Sequence, residues 1–156
     1  MRAREILRLV VSIVVCFLPS FVAIGASPGE WYAQLTKPPL NPPSWVFGPV
    51  WTLLYLLMGI SLYLVWSRAS RHPGATLAVG VFAVQLVLNA LWSPAFFGAR
   101  SPGLGLIVIV PMVVLIAVTI SLFGRISNVA GWLLVPYLAW VSFATYLNAA
   151  IWWLNR

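Results

Sequence analysis

Five apolar runs, at residues 6–24, 47–66, 75–97, 104–123 and 131–154, divide the chain. Each is near the ~20 residues that an α-helix needs to cross the hydrocarbon of a bilayer. Within lipid, backbone amides must be paired internally, which leaves helices or a closed barrel. The period-two alternation of a transmembrane barrel is absent. The pattern predicts an all-α fold: an integral membrane bundle of five transmembrane helices, forming a single domain over residues 1–156. Connections at 67–74, 98–103 and 124–130 are short and carry Pro73, Gly74, Pro102 and Asn128. Sequential helices should therefore run antiparallel and pack side by side. The connection at 25–46 is the exception. A loop this long is usually functional or disordered. Its aromatic and Pro residues argue for order, because they pack with little entropy to lose.

Composition places lipid around this bundle. The chain has 156 residues, 62% hydrophobic and 7% charged, with mean hydropathy +1.00. A soluble domain needs more polar surface than that. The net charge of +7 does not mark a nucleic-acid binder. Arg2, Arg4, Arg8, Lys37, Arg68, Arg71, Arg100, Arg125 and Arg156 are scattered near the ends of apolar runs, where they meet headgroups and snorkel. Six of the nine fall on the side of the N-terminus, which favours a cytoplasmic N-terminus and an outward-facing 25–46 loop. The first run also resembles a secretory leader with a small-residue end at 23–27. Its length favours a retained helix. One cysteine, Cys16, excludes an intrachain disulfide. One His, one Cys and two carboxylates, Glu5 and Glu30, do not make a metal site.

The most specific stretch is 31–55, WYAQLTKPPLNPPSWVFGPVWTLLY. Aromatic rings offer flat contact surfaces and Pro fixes the backbone that presents them. This reads as a preformed lid for a flat apolar ligand, with Trp31 and Tyr32 in it. Trp51 and Tyr55 share a face of the second run. Gln85 and Asn89, four apart in the third, share another that Trp92 extends. Polar groups at this depth meet a ligand or bond neighbouring helices. Tyr137, Trp140, Ala144 and Asn148 line one stripe of the fifth run, and Ala144 leaves a gap between aromatics. Trp140 is expected to lie deepest, at the pocket floor. The alternative for these stripes is plain core packing. Trp66, Trp132, Trp152 and Trp153 fit an interfacial belt. Pro19, Pro49, Pro94, Pro111 and Pro136 can kink helices and open space between them. Gly74 and Ala78, with Ala75 beside them, offer a small-residue face for a dimer contact or for packing within the chain.

No acid pair, Ser-His-Asp set or phosphate-cradling Gly loop is present. The remaining reactive groups are indoles and phenols, which can donate electrons to an excited or oxidising ligand. A sterol-type pattern, Leu57…Tyr63…Arg68, is of a kind that matches many helices by chance.

The chain resembles the TspO/MBR family of bacterial tryptophan-rich sensory proteins and mitochondrial translocator proteins, or peripheral benzodiazepine receptors. The blocks that carry the likeness are WYAQLTKPP at 31–39, NPPSWVFGPVWTLLY at 41–55, QLVLNALWSPAFFG at 85–98 and VPYLAWVSFATYLN at 135–148. The resemblance implies a bacterial cell-membrane protein, a five-helix bundle and a homodimer. It implies a pocket under the first long loop that binds porphyrins and benzodiazepine-type drugs, with Trp51, Asn89, Trp92, Trp140, Ala144 and Asn148 in it. Porphyrin would be a ligand, no cofactor being required, and membrane lipid a partner. Light-dependent porphyrin degradation through Trp51 and Trp140 is the enzymatic alternative. A lipid- or sterol-handling role is the other. The family's C-terminal cholesterol motif is broken, since no basic residue follows Tyr146 until Arg156. Lys37, the one basic group in the loop, would meet either a porphyrin propionate or a lipid headgroup. The single His72 lies in a connection, so a metal-free porphyrin suits the site better than tightly held haem.

Overall fold

Uninterrupted apolar sequence forms helix wherever a cap or a Pro does not stop it. The computed structural model describes residues 2–156. Along them run α1 (Ala3–Ile24), α2 (Glu30–Gln34), α3 (Ser44–Trp66), α4 (Ala75–Ser93), α5 (Pro102–Ile126), α6 (Asn128–Leu133) and α7 (Val135–Leu154). Five helical spans are long and apolar enough to cross a membrane: α1, α3, α4 with its extension to Gly98, α5, and α6 continuing into α7. Large apolar side chains face outward all along them, as Leu7, Phe21, Ile107 and Val114 do. With lipid as solvent these positions cost nothing, and this is an integral, multi-pass membrane protein.

The expected connection at 124–130 proves to be mostly helix. Only Ser127 separates α5 from α6, where its Oγ accepts from the Ala130 amide at 3.4 Å. The hydroxyl caps a new helix at once. Close approach makes this possible: a Cβ on Gly131 would stand 3.0 Å from the Gly124 Cα. The end of α4 also departs from plain helix. Pro94 has no N–H to donate, and the chain widens into a π turn over Pro94–Gly98. There the Ala99 amide donates to the Pro94 carbonyl at 2.8 Å. Such turns rotate the side chains that follow.

The helix α1 is built into the bundle. Cys16 and Ser12 are buried, and Gly59 of α3 lets the α1 backbone come close, since a Cβ there would meet the Ile13 Cα at 2.7 Å. The half of the bundle away from the 25–46 connection is filled by Met58, Val65, Phe82, Ile116, Phe123 and Leu134, all buried. Phe82 and Phe123 stack at 5.4 Å. Ala75 and Ala78 are buried in this same core. The small-residue face expected to offer a dimer contact is therefore turned inward, because α1 and α5 need close approach there. Gly74 alone of that trio is exposed.

Candidate functional site

The other half of the bundle is hollow. A cavity of about 660 Å³ lies between α1, α3, α4, α5 and α7, beneath the 25–46 connection. That volume falls within the range of small-molecule sites. The residues that bound it explain why it stays open. Pro19 and Ala23 of α1, Gly48 of α3 and Ala144 of α7 are too small to fill the space that Met58 and Phe82 fill lower down.

Its walls are aromatic. Trp51 packs on Tyr55 at 5.3 Å and approaches Tyr137 edge-on at 6.3 Å. Trp140 meets Phe47 at 5.8 Å. Across the cavity Trp92 stacks on Phe96 at 5.1 Å, which the π turn swings inward. The lid helix α2 closes over this wall, with Tyr32 against Phe97 at 5.2 Å and Trp31 against Phe96 at 6.0 Å. Tyr32 donates to Asn41 Oδ1 at 3.5 Å, which pins the lid on itself. Burial pushes the Tyr32 phenol above the ordinary tyrosine value.

Below the aromatic walls runs a hydrogen-bonded chain. The Tyr55 hydroxyl donates to Asn89 Oδ1 at 3.0 Å. Asn89 Nδ2 donates to the Tyr137 oxygen at 2.9 Å, and Tyr137 donates on to Gln85 Oε1 at 2.7 Å. Gln85 Nε2 is buried without a protein partner. In a low-dielectric interior such a network fixes the relative register of α3, α4 and α7. A second bracket holds the lid-side end. Trp92 Nε1 donates to Asn148 Oδ1 at 3.0 Å, and Asn148 Nδ2 donates to the Pro102 carbonyl at 2.7 Å. Gly105 makes room for it: a Cβ would stand 2.6 Å from Asn148 Oδ1 and 2.8 Å from the Phe96 ring.

Of the eleven expected site residues, Tyr32, Trp51, Tyr55, Asn89, Trp92, Trp140, Ala144 and Asn148 line the cavity, while Trp31, Gln85 and Tyr137 do not. Gln85 and Tyr137 lie one layer beneath, committed to the hydrogen-bonded chain. Trp31 faces a smaller cavity at the edge of the lid. Trp140 is not the floor. The Ser61 hydroxyl donates to the Ala130 carbonyl. Counting up from that bond at 1.5 Å per residue, Trp140 stands about 15 Å above it and Tyr55 about 9 Å, so Tyr55 lies roughly one helical turn deeper. The floor belongs to Tyr55 and Asn89. Lys37 does not reach the cavity. Its Nζ donates to the Leu35 carbonyl at 3.2 Å and lies 4.6 Å over the Tyr32 ring. Of the five helical prolines singled out, Pro19 alone lines the cavity, and Pro94 starts the π turn.

Phe47, Phe96 and Asn155 escaped the sequence reading. The first two were within its reach, since Phe47 precedes Trp51 by four residues and Phe96 follows Trp92 by four. Asn155 carried no such signal. It clamps the lid from the end of α7: the Thr36 amide donates to its Oδ1 and its Nδ2 donates to the Thr36 carbonyl, each at 2.9 Å.

Comparison with known proteins agrees with this architecture. The TspO/MBR family model matches residues 8–154. The chain is 43% identical over 155 residues to the tryptophan-rich protein TspO of Chlorobaculum tepidum, spanning 97% of this chain and 98% of that one. It is 43% identical over 124 residues to the translocator protein of Homo sapiens, spanning 79% and 73%. With the tryptophan-rich sensory protein of Cereibacter sphaeroides it shares 39% over 133 residues, spanning 85% and 82%. This five-span membrane protein belongs to the TspO/MBR family.

Proposed function

We propose that the protein binds porphyrins of the protoporphyrin IX type in the cavity under the 25–46 lid and serves as a membrane sensor or carrier for them. One observation carries the reading: a roomy cavity walled by Trp51, Trp140, Phe47, Trp92 and Phe96 and roofed by Tyr32. Flat aromatic faces favour a flat aromatic guest. The family names, which include sensory and translocator proteins, point the same way. No His lines the walls, so iron would lack its usual proximal base and a metal-free macrocycle suits the site better. Drugs of the benzodiazepine type, apolar and rich in aromatic rings, are small enough to share it. On this reading the protein sits in a bacterial cell membrane with its N-terminus cytoplasmic, which the Arg residues at that end favour. Assembly as a homodimer belongs to the same reading, through a face other than Ala75 and Ala78.

A second reading is favoured by the contact between Trp51 and Tyr55. An indole that gives one electron to a photoexcited porphyrin leaves the pigment reduced and the indole oxidised. A phenol at 5.3 Å could then refill the indole. Ring breakdown would further require dioxygen as oxidant. Titration of protoporphyrin IX into the protein in detergent, followed by Trp fluorescence, tests the first reading. Saturable quenching in the dark supports it, and none would refute it. A pigment spectrum that changes under light with protein present, and not with Trp51→Phe, would add the second.

A further inference from the structure

A smaller cavity, of about 300 Å³, opens at the lid-side edge of the bundle, apart from the porphyrin slot. Trp31 and Leu35 of the lid, residues 100–103 before and at the start of α5, and Trp152, Asn155 and Arg156 at the end of α7 enclose it. Donor-bearing side chains stand around it, with Arg100 and Arg156 both among the lining residues. Trp152 sets its indole N–H at the rim, 3.4 Å from where a Cβ of Gly103 would stand. The side-chain acceptors in the wall are engaged: Asn155 Oδ1 accepts from the Thr36 amide and Ser101 Oγ from the Leu104 amide.

No acidic side chain stands in this wall. The chain's acidic side chains are Glu5 and Glu30, and neither lines the cavity. One of the two arginines is held in place by stacking. Arg156 lies 3.3 Å over the Trp153 ring and 5.3 Å from that of Trp152. Stacking of this kind leaves the in-plane N–H groups free to donate. Arg100 takes a left-handed backbone, φ 52°, a conformation uncommon outside Gly. It sits in the tight turn between the π turn and the Ser101 cap of α5. Two arginines, one of them held by stacking, and an indole donor, with no acidic side chain among them, fit a group with several anionic oxygens.

We propose that this cavity is a phosphate site, in which Arg100 and Arg156 hold a phosphate presented by an anionic phospholipid headgroup or free in solution. The cavity lies at the end of the spans, at the level where headgroups sit. Because Trp31 and Leu35 form one of its walls, an occupant would rest against the lid helix.

Calorimetric titration of the full chain in detergent tests the site. The probes are dihexanoyl phosphatidylglycerol and dihexanoyl phosphatidylcholine, each below its micellar range, and inorganic phosphate. Saturable binding of the phosphatidylglycerol or of inorganic phosphate is expected, with the choline lipid weaker because its cation would face the arginines. The double variant Arg100→Gln/Arg156→Gln should lose about tenfold or more in affinity. Arg68→Gln/Arg71→Gln, at the other end of the bundle, should leave it unchanged. Arg100→Lys and Arg156→Lys keep the charge without the planar fork and should each lose several-fold; they also stand in if the double variant folds poorly. Competition by inorganic phosphate assigns the site to the free ion, and failure to compete assigns it to the lipid. The proposal is overturned if neither anionic probe saturates, if the double variant binds like the parent, or if both arginine pairs lose affinity equally.

Discussion

Tyr137 uses its hydroxyl twice, accepting from Asn89 and donating to Gln85. Tyr55 uses its hydroxyl once, as a donor to Asn89. The two Tyr→Phe changes should therefore differ. Tyr137→Phe leaves a buried amide proton of Asn89 and the Gln85 oxygen without partners, beside a Gln85 Nε2 that already has none. That should cost about 1–3 kcal/mol of stability, against roughly 0.5–1.5 kcal/mol for Tyr55→Phe. Thermal unfolding in detergent measures both, and equal tolerance would contradict the chain of bonds. Asn148 makes the same point. In sequence it stands on a stripe with Trp140 and Ala144 and looks free to meet a ligand. In the fold its amide is divided between Trp92 and the Pro102 carbonyl. Which residues share a face could be read from spacing. Which partner takes each hydrogen bond could not, because that depends on long-range register.

At the scale of elements, close approach decides what glycine does. Gly59→Ala would drive a Cβ to 2.7 Å from the Ile13 backbone, pushing α1 off α3. Overpacking against backbone should cost about 1–3 kcal/mol. Gly80→Ala, with nothing within 4 Å, should be neutral or raise stability by up to ~1 kcal/mol through helix propensity. Unfolding curves of the pair would show the contrast, and similar losses in both would contradict the packing described for α1. The lid allows a further test. Asn155→Ala removes the acceptor of the Thr36 amide and should speed its hydrogen exchange about fivefold, the equivalent of roughly 1 kcal/mol. Unchanged exchange would mean that the clamp does not hold the lid. The spanning helices were legible because continuous apolar sequence of ~20 residues has few alternatives in lipid. The break at 124–130 was overestimated. Asn128 resembles a helix end, yet Ser127 caps the next helix after a single residue. The short helix α2 was hidden inside a loop whose order, though not its form, the aromatic and Pro residues announced.

For the whole molecule, an odd number of spans places the two ends on opposite sides of the membrane. Reporter fusions at each end should report opposite compartments, with the N-terminal one inside by the Lys/Arg distribution. Matching compartments would contradict five spans; reversed ones would contradict only the orientation. The division into a filled half and a hollow half is what joins fold to function. Met58, Phe82, Ile116 and Phe123 fill the first. Pro19, Gly48 and Ala144 leave space in the second, and Trp51, Trp140, Phe47 and Phe96 wall it. The aromatic walls were legible in part, since several stand at helical spacing. Of the hollow only the gap at Ala144 was legible; the shares of Pro19 and Gly48 were not, because they depend on which small residues from separate helices meet at one depth. Protoporphyrin IX titration of Trp51→Ala, Trp140→Ala and Trp152→Ala, each checked for folding, tests the central claim most directly. Loss of one aromatic wall should remove on the order of 1 kcal/mol or more. That is about fivefold or more in affinity for Trp51→Ala and Trp140→Ala, with Trp152→Ala unchanged. Weakened binding in Trp152→Ala alone, with the other two like the parent, would place the porphyrin outside the cavity under the lid.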